Sequence, residues 1–359
     1  MMKITAGLGS VEDYIPYAEA GADEVFCGYV PAAWQTRWGN YAPLNRREVL
    51  YYPVQLGARS ELLILRAMRR EMGVPVTLTF NAPFYPADSF PLLLEILKQC
   101  AADGFSSFIV ADPVLLYYLK TRLPDASFRL QTSGELGELN RHILPALQEA
   151  GISRIIFHRK LTLSEMASVI SFADPTCPPE YEAFLLNEMC HFHGAFCSAW
   201  HCDEMLPVCR IPYRLGNLKK VSREAASVLP DPHAPSSASD LLCPSDLFGS
   251  DLFEAGAYAS QDAGSSYGNI SEDAPLLSPL GSSGCGLCAL YRLQQIGITH
   301  LKLVGRGGRR EDLLRDIRAV RRALDLLAGS GSEAAYQKQM RAALFPQGCS
   351  GICYYPCRP

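Results

Sequence analysis

The sequence predicts an α/β fold of the (β/α)8 TIM-like barrel class, with a long insertion between strand 7 and strand 8 and a cysteine-rich C-terminal tail. Three observations predict it. Short β-rich runs alternate with helical patterns of 10–15 residues, the signature of parallel βαβ units. The runs are apolar enough for a sheet covered on both faces. Glycine repeatedly stops a helix just before the next strand, in AGAD, EMGVP, ADGFS, EAGIS and QIGIT, because glycine enters the left-handed C′ conformation without a Cβ penalty. Eight such units favour closure over an open doubly wound sheet, which is the alternative.

The elements follow in order. Residues 3–8 read as the first strand and 11–20 as its helix; 24–29 (EVFCGY) and 60–71 form the second pair. Residues 75–81 (PVTLTFN) precede a helix at 90–102. Residues 107–111 (SFIVA) are closed by Asp112-Pro113, and a helix covers 114–122. Strand 128–132 is followed by helix 141–150, strand 154–158 by helix 163–172, and strand 182–186 by the insertion. Helix 287–296, strand 300–304 and helix 310–327 complete the barrel, which is expected to span residues 1–328. Residues 329–359 read as linker, short helix and cysteine-rich end.

Within the insertion, residues 225–284 contain eight acidic side chains and no lysine or arginine, and serine, proline, glycine and alanine dominate. Such a stretch hardly offsets its ordering entropy, so a mobile loop is expected, anchored by Leu241-Leu242 and Leu247-Phe248; a lid over the barrel is the functional alternative.

The chain has 359 residues, 48% of them hydrophobic, and a formal charge of −4, which argues against a bulk electrostatic grip on nucleic acid. MMKITAGLGS lacks the apolar segment of a signal peptide, and no run approaches the ~18 apolar residues of a membrane span. A cytoplasmic protein is therefore expected. Its thirteen cysteines are then poor candidates for disulfides. Cys27, Cys100 and Cys177 read as small buried hydrophobes.

The clustered cysteines need another account. Cys190, Cys197, Cys202 and Cys209 follow strand seven within twenty residues, and Cys285-Gly-Leu-Cys288 opens the helix before strand eight. A barrel brings both segments to its C-terminal face. Four thiolates from two segments satisfy either a tetrahedral zinc or an iron–sulfur cluster. The C-x6-C-x4-C-x6-C spacing is not that of a zinc ribbon. Cys349, Cys353 and Cys357 in the tail offer material for a second site, and unliganded thiols are the plain alternative.

These segments, taken together, resemble the U32 peptidase family, also called collagenase-like peptidases. The resemblance runs through Gly9-Ser10, Ala20-Gly21-Ala22-Asp23, Asp112-Pro113, and the polar set Gln131, Thr132 and Asn140. Its hallmark is His193-Gly194-Ala195-Phe196-Cys197 followed by Cys202 and Cys209, then Leu287-Cys288 and Lys302-Leu303-Val304-Gly305-Arg306. Val304 stands where the family's strand-eight motif has a glutamate. The resemblance implies a barrel carrying a [4Fe-4S] cluster, as in members that support oxygen-independent hydroxylation of ubiquinone precursors or RNA bases. It implies Cys197, Cys202, Cys209 and Cys288 as ligands, with Cys190 and Cys285 as substitutes, and zinc as the alternative metal. A partner of the same family is also conceivable.

Three functions follow: a cluster-dependent modification enzyme, a metal- or thiol-dependent peptidase, or a zinc-stabilised scaffold. No G-x-S-x-G elbow or HExxH helix is present. Cys197 with His193 or His201 would be the thiol-protease arrangement. Glu188, His193 and Asp203 are candidate catalytic groups or supports for the ligands. Asn81, Gln131 and Arg306 are candidate contacts to a cofactor or substrate, and Arg37, Arg306, Arg309 and Arg310 are candidate binders of an anionic substrate or phosphate at the mouth, with ordinary surface charge as the alternative. The substrate is left as a small molecule, a peptide or an RNA.

Overall fold

Eight parallel strands hydrogen-bond in sequence order, and the last returns to the first to close a barrel. The computed structural model describes residues 1–39, 42–46, 54–123, 127–136, 139–190 and 279–356. The strands are β1 Lys3–Gly7, β2 Glu24–Gly28, β3 Val76–Phe80, β4 Ser107–Val110, β5 Arg129–Thr132, β6 Ile152–Ile156, β7 Glu180–Leu186 and β8 His300–Leu303. Pairing of Ile4 with Leu301 and of Ala183 with Leu301 makes β8 the closing strand. The expected barrel is therefore the observed one, with the gap between β7 and β8 where the insertion was placed. Among the strands the largest boundary differences are at β6 and β7, each of which starts two residues before the expected position.

Helices alternate with the strands: α1 Tyr14–Ala20, α2 Ala32–Arg37, α3 Arg59–Met72, α4 Phe90–Ala102, α5 Pro113–Arg122, α6 Leu144–Glu149, α7 Leu163–Ser171, α8 Leu290–Gln295, α9 Arg310–Ala328 and α10 Glu333–Leu344. The five glycine stops hold: Gly21, Gly73, Gly104, Gly151 and Gly297 all have positive φ, from 76° to 106°. Asp112 caps α5 by accepting from the Val114 and Leu115 amides, and it also accepts from the Tyr85 amide. The short α2 was not anticipated; it buries Trp34, whose indole donates to the Ala42 carbonyl at 2.9 Å. Cys27 and Cys100 are buried as expected, but Cys177 is exposed, because it lies in the turn before β7 rather than on a packed face. The insertion's anchors, Leu241-Leu242 and Leu247-Phe248, lie outside the described residues.

Outward-facing strand residues such as Ile4, Val25, Leu78, Phe108, Ile155, Ala183 and Leu301 supply the apolar layer under the helices. The inward face is different. Arg154 of β6 reaches across the barrel to Glu24 of β2 at 2.8 Å, and also bonds Glu182 at 2.9 Å and Glu180 at 3.0 Å on β7. Lys302 of β8 donates to the other oxygen of Glu182 at 2.8 Å. Thr77 donates to Glu24, and the Gln131 amide donates to Ser107 at 3.1 Å. Buried charges persist only when paired and hydrogen-bonded, and here every one is.

His300 completes this network. Arginine can only donate, so the 2.9 Å contact from Arg154 makes the His300 Nε2 an acceptor and puts the ring proton on Nδ1, facing Thr299 Oγ1 at 2.8 Å. Burial and the adjacent Arg154 guanidinium hold the imidazole below its ordinary pKa, so it is neutral.

The C-terminal tail docks beside β7. Helix α10 buries Tyr336, whose hydroxyl donates to the Leu287 carbonyl at 2.8 Å. Beyond it, Tyr355 donates to the Phe184 carbonyl at 2.7 Å and Tyr354 to the Asn187 carbonyl. Cys285 forms isolated bridges with Leu186 on one side and Cys353 on the other. No helix among the described residues is long and apolar enough to cross a membrane.

Candidate active site at the barrel mouth

In a (β/α)8 barrel the reacting groups sit where the strands end and the helices begin. Here that end opens into a small cavity of about 70 Å³, partly open to solvent, whose lining comes from β2 to β8 and the loops after them. Phe26 and Phe184 form apolar surfaces within it. Glycines make room for both rings: a Cβ on Gly134 would lie 2.9 Å from Phe184, and one on Gly7 would lie 3.1 Å from Phe26.

Cations stand over both aromatic faces. The Lys302 ammonium is 3.6 Å from the Phe26 ring centre, and the Arg306 guanidinium is 5.5 Å from it. Arg159 lies 4.0 Å from the centre of Phe184. Such stacking orients a cation while leaving donors for other groups. Arg306 donates to Gln55 and Thr79, both at 3.1 Å. Glu135 is shared by Arg159 at 3.2 Å and Arg46 at 3.8 Å. Desolvation holds Lys302 below the usual lysine pKa, against the pull of Glu182, while Lys302 and Arg154 hold Glu182 below the carboxylate range despite its burial.

The chain leaves β7 through two consecutive non-glycine residues in the left-handed region, Asn187 at φ 60° and Glu188 at φ 47°. Such residues are uncommon and need support from their surroundings. Asn187 obtains it from Asp316 of α9 through its amide, from the Gly284 carbonyl through its N–H at 2.8 Å, and from Tyr354 at its carbonyl. The bend carries Glu188 into the cavity lining. Cys190 follows two residues later, within the electrostatic environment of Arg159 and Tyr354.

Asn81, Arg306 and Glu188 line one cavity. Asn81 accepts from the Arg46 amide at 3.1 Å. Gln131 does not join them; it lies deeper in the barrel with Ser107 and Thr77, because its strand turns that side chain into the buried polar layer. Arg37 stacks on Trp38 from α2, and Arg310 pairs with Asp13 and Glu12 on the outside. Arg46, Glu135 and Arg159 were missed, since each sits in a loop with no motif to mark it. Arg154, expected as the first residue of the sixth strand, lies in the middle of β6 with its side chain inside the barrel.

Cys285 and Cys288 lie beside the end of β7, on the segment that returns from the insertion. Burial pushes the Cys285 thiol up to about 12, with Cys288, Cys353 and Cys349 close enough to add to the shift. Arg341 of α10 donates to the Cys288 sulfur at 3.4 Å. Among the described residues, no three His, Cys, Asp or Glu side chains are grouped to hold a single metal ion. His193, Cys197, Cys202, Asp203, Cys209 and Cys357 lie outside the described residues.

The family model of peptidase family U32 matches residues 9–355. The chain belongs to peptidase family U32. Among solved structures this U32 barrel is similar to the U32 peptidase Mk0906, with 14% identity over 52% of this chain and 69% of that one and a TM-score of 0.39. It is similar at TM-score 0.34 to 2,3-dimethylmalate lyase, with 14% identity over 69% of this chain and 88% of that one. A glycerophosphodiester phosphodiesterase from Parabacteroides distasonis also gives 0.34, with 11% identity over 52% of this chain and 86% of that one. Likenesses of this size bear on neither substrate nor chemistry. No curated protein matches the chain. At Val304, where the resemblance leads one to expect a glutamate, the U32 barrel presents an apolar side chain to the cavity, so the described carboxylates in the lining are Glu135 and Glu188.

Proposed function

We propose that the chain is a U32-family enzyme that uses the barrel mouth as its reaction chamber and holds a [4Fe-4S] cluster on cysteines at the β7 edge of that mouth, in support of a hydroxylation-type modification. What supports this reading is that two cysteine-bearing segments, distant in sequence, are paired by their backbones: the Asn187 N–H donates to Gly284 and the Met189 N–H to Ser283. Cys190 lies two residues after the Asn187–Glu188 bend, while Cys285 and Cys288 return beside the same strand end. Cys288 would be one ligand and Cys197, Cys202 and Cys209 the others, with Cys190 and Cys285 as substitutes.

The donor chemistry suits the group. Thiolates are its ordinary ligands, and a hydrogen bond from Arg341 to the Cys288 sulfur is the kind of contact that tunes a cluster. The ligands of a cluster are also spread more widely than those around one ion. When bound, the cluster supplies electron transfer. The chain's own residues orient the substrate against Phe26 and Phe184, and Glu188 is placed to accept or return a proton at its carboxylate oxygens.

Anaerobic purification tests the reading. A brown protein absorbing near ~400 nm, with iron and sulfide that fall together in Cys288→Ser and Cys197→Ser, is expected. Colourless protein with stoichiometric zinc would instead mark a scaffold. Peptide cleavage that survives metal removal but not Cys197→Ser would return the chain to a thiol peptidase.

A further inference from the structure

The cavity's charge is its least explained property. Among the described residues, four cationic side chains line it, Arg46, Arg159, Lys302 and Arg306, against two carboxylates, Glu135 and Glu188. Lys302 and Arg306 are each only 6% exposed, so their charges are removed from water rather than solvated at a rim. The acidic side chains of the interior gather at the opposite end: Glu24, Glu180 and Glu182 all surround Arg154. The barrel interior is therefore polarised along its axis, negative at the strand starts and positive at the mouth. The helix N-termini, which face the mouth in this architecture, add to the same sign.

We propose that the mouth cavity is an oxyanion site, built to hold a carboxylate or phosphate group of the substrate with Lys302 and Arg306 at Phe26 and Arg159 at Phe184. Guanidinium groups match the paired oxygens of carboxylate and phosphate, and the ammonium adds a point charge. A cleft with one dominant sign and apolar walls concentrates ligands of the opposite sign. The loop after β8 provides access: Gly305 lines the cavity at φ 131°, and a Cβ there would meet nothing within 4 Å. The inference rests on the mouth being the reaction chamber but not on the cluster being present.

The test is calorimetric titration of the purified full chain at low ionic strength with inorganic phosphate, with acetate, and with glycerol as the uncharged control. Saturable binding of at least one anion is expected, about tenfold or more weaker in Arg306→Gln and Lys302→Gln, from the loss of one charged hydrogen-bond donor. Binding should be unchanged in Arg122→Gln, whose guanidinium stacks on Tyr118 outside the barrel. Phosphate alone would identify a phosphorylated ligand, acetate alone a carboxylate, and either supports the site. Absence of saturable binding by both anions overturns it, as does binding undiminished in both cavity variants. Should Arg306→Gln fail to fold by circular dichroism, Arg306→Lys keeps the charge but not the fork, and weaker binding is again expected. Iron is measured on the same preparations. Iron without anion binding defeats this inference alone, whereas anion binding without iron defeats the cluster alone.

Discussion

A guanidinium inside a barrel is tolerated only when its donors are met, and Arg154 meets them with Glu24, Glu180, Glu182 and the His300 ring. Replacing it with Met would leave three carboxylates without their common partner. Breaking a buried ion network costs about 3–5 kcal/mol, so Arg154→Met should lose stability of that order in urea unfolding. His300 makes the same network sensitive to acid. Its folded pKa lies below 6.5, so the unfolded chain takes up the proton first as pH falls, and stability is lost from about that pH downward. His300→Gln keeps an acceptor for Arg154 without titrating. Its unfolding free energy should be flatter than the wild type's between neutral and mildly acidic pH, and parallel curves would disprove the assignment. At this scale the sequence is only half legible. Alternation in RLQT and HLKL marks Gln131 and Lys302 as sharing a face with other polar residues, but alternation cannot say whether that face looks into water or into a closed ring.

Secondary elements were easier to read, because their punctuation is local. The glycine stops reflect one backbone conformation, visible from the residue type alone. Asp112-Pro113 marks the close of β4 in the sequence, and the structure adds that Asp112 caps α5 and also holds the Tyr85 amide, tying the loop after β3 to the helix after β4. Asp112→Ala should therefore cost more than an ordinary cap, about 2 kcal/mol in thermal or urea unfolding, with Asp112→Asn recovering part of it. The short α2 escaped notice because six residues are too few to set up a helical period, and Trp34 is buried by packing rather than by pattern. The bend at Asn187 and Glu188 escaped for a related reason. Neither residue type demands the left-handed region, and its supports come from α9, from the segment after the insertion and from the tail.

For the whole molecule, the alternation of strand and helix identified the closed barrel, while the cysteine spacing pointed to the β7 edge without fixing which thiols meet. Closure is a long-range property, yet it followed from repetition. Ligand sets do not repeat, so a single sequence leaves them open. The cavity's polarity belongs to this scale as well, since Arg46, Arg159 and Arg306 come from three different loops and share no motif. The sequence's modest net acidity concealed a locally cationic mouth.

The long excursion after β7 departs and re-enters through one doorway. The Asn187 amide donates to the Gly284 carbonyl at 2.8 Å, and the Met189 amide donates to the Ser283 carbonyl at 2.9 Å. The two stubs are thus stitched together by backbone. Residues 191–278 should be exchangeable for a short glycine–serine bridge, because loop closure varies only slowly with length. The shortened chain should still melt cooperatively, as read by circular dichroism, while losing any bound iron. Failure to fold would mean that the excursion is structural rather than interchangeable. A doorway stitched in this way lets the length between its two posts vary while the eight strands below keep their register.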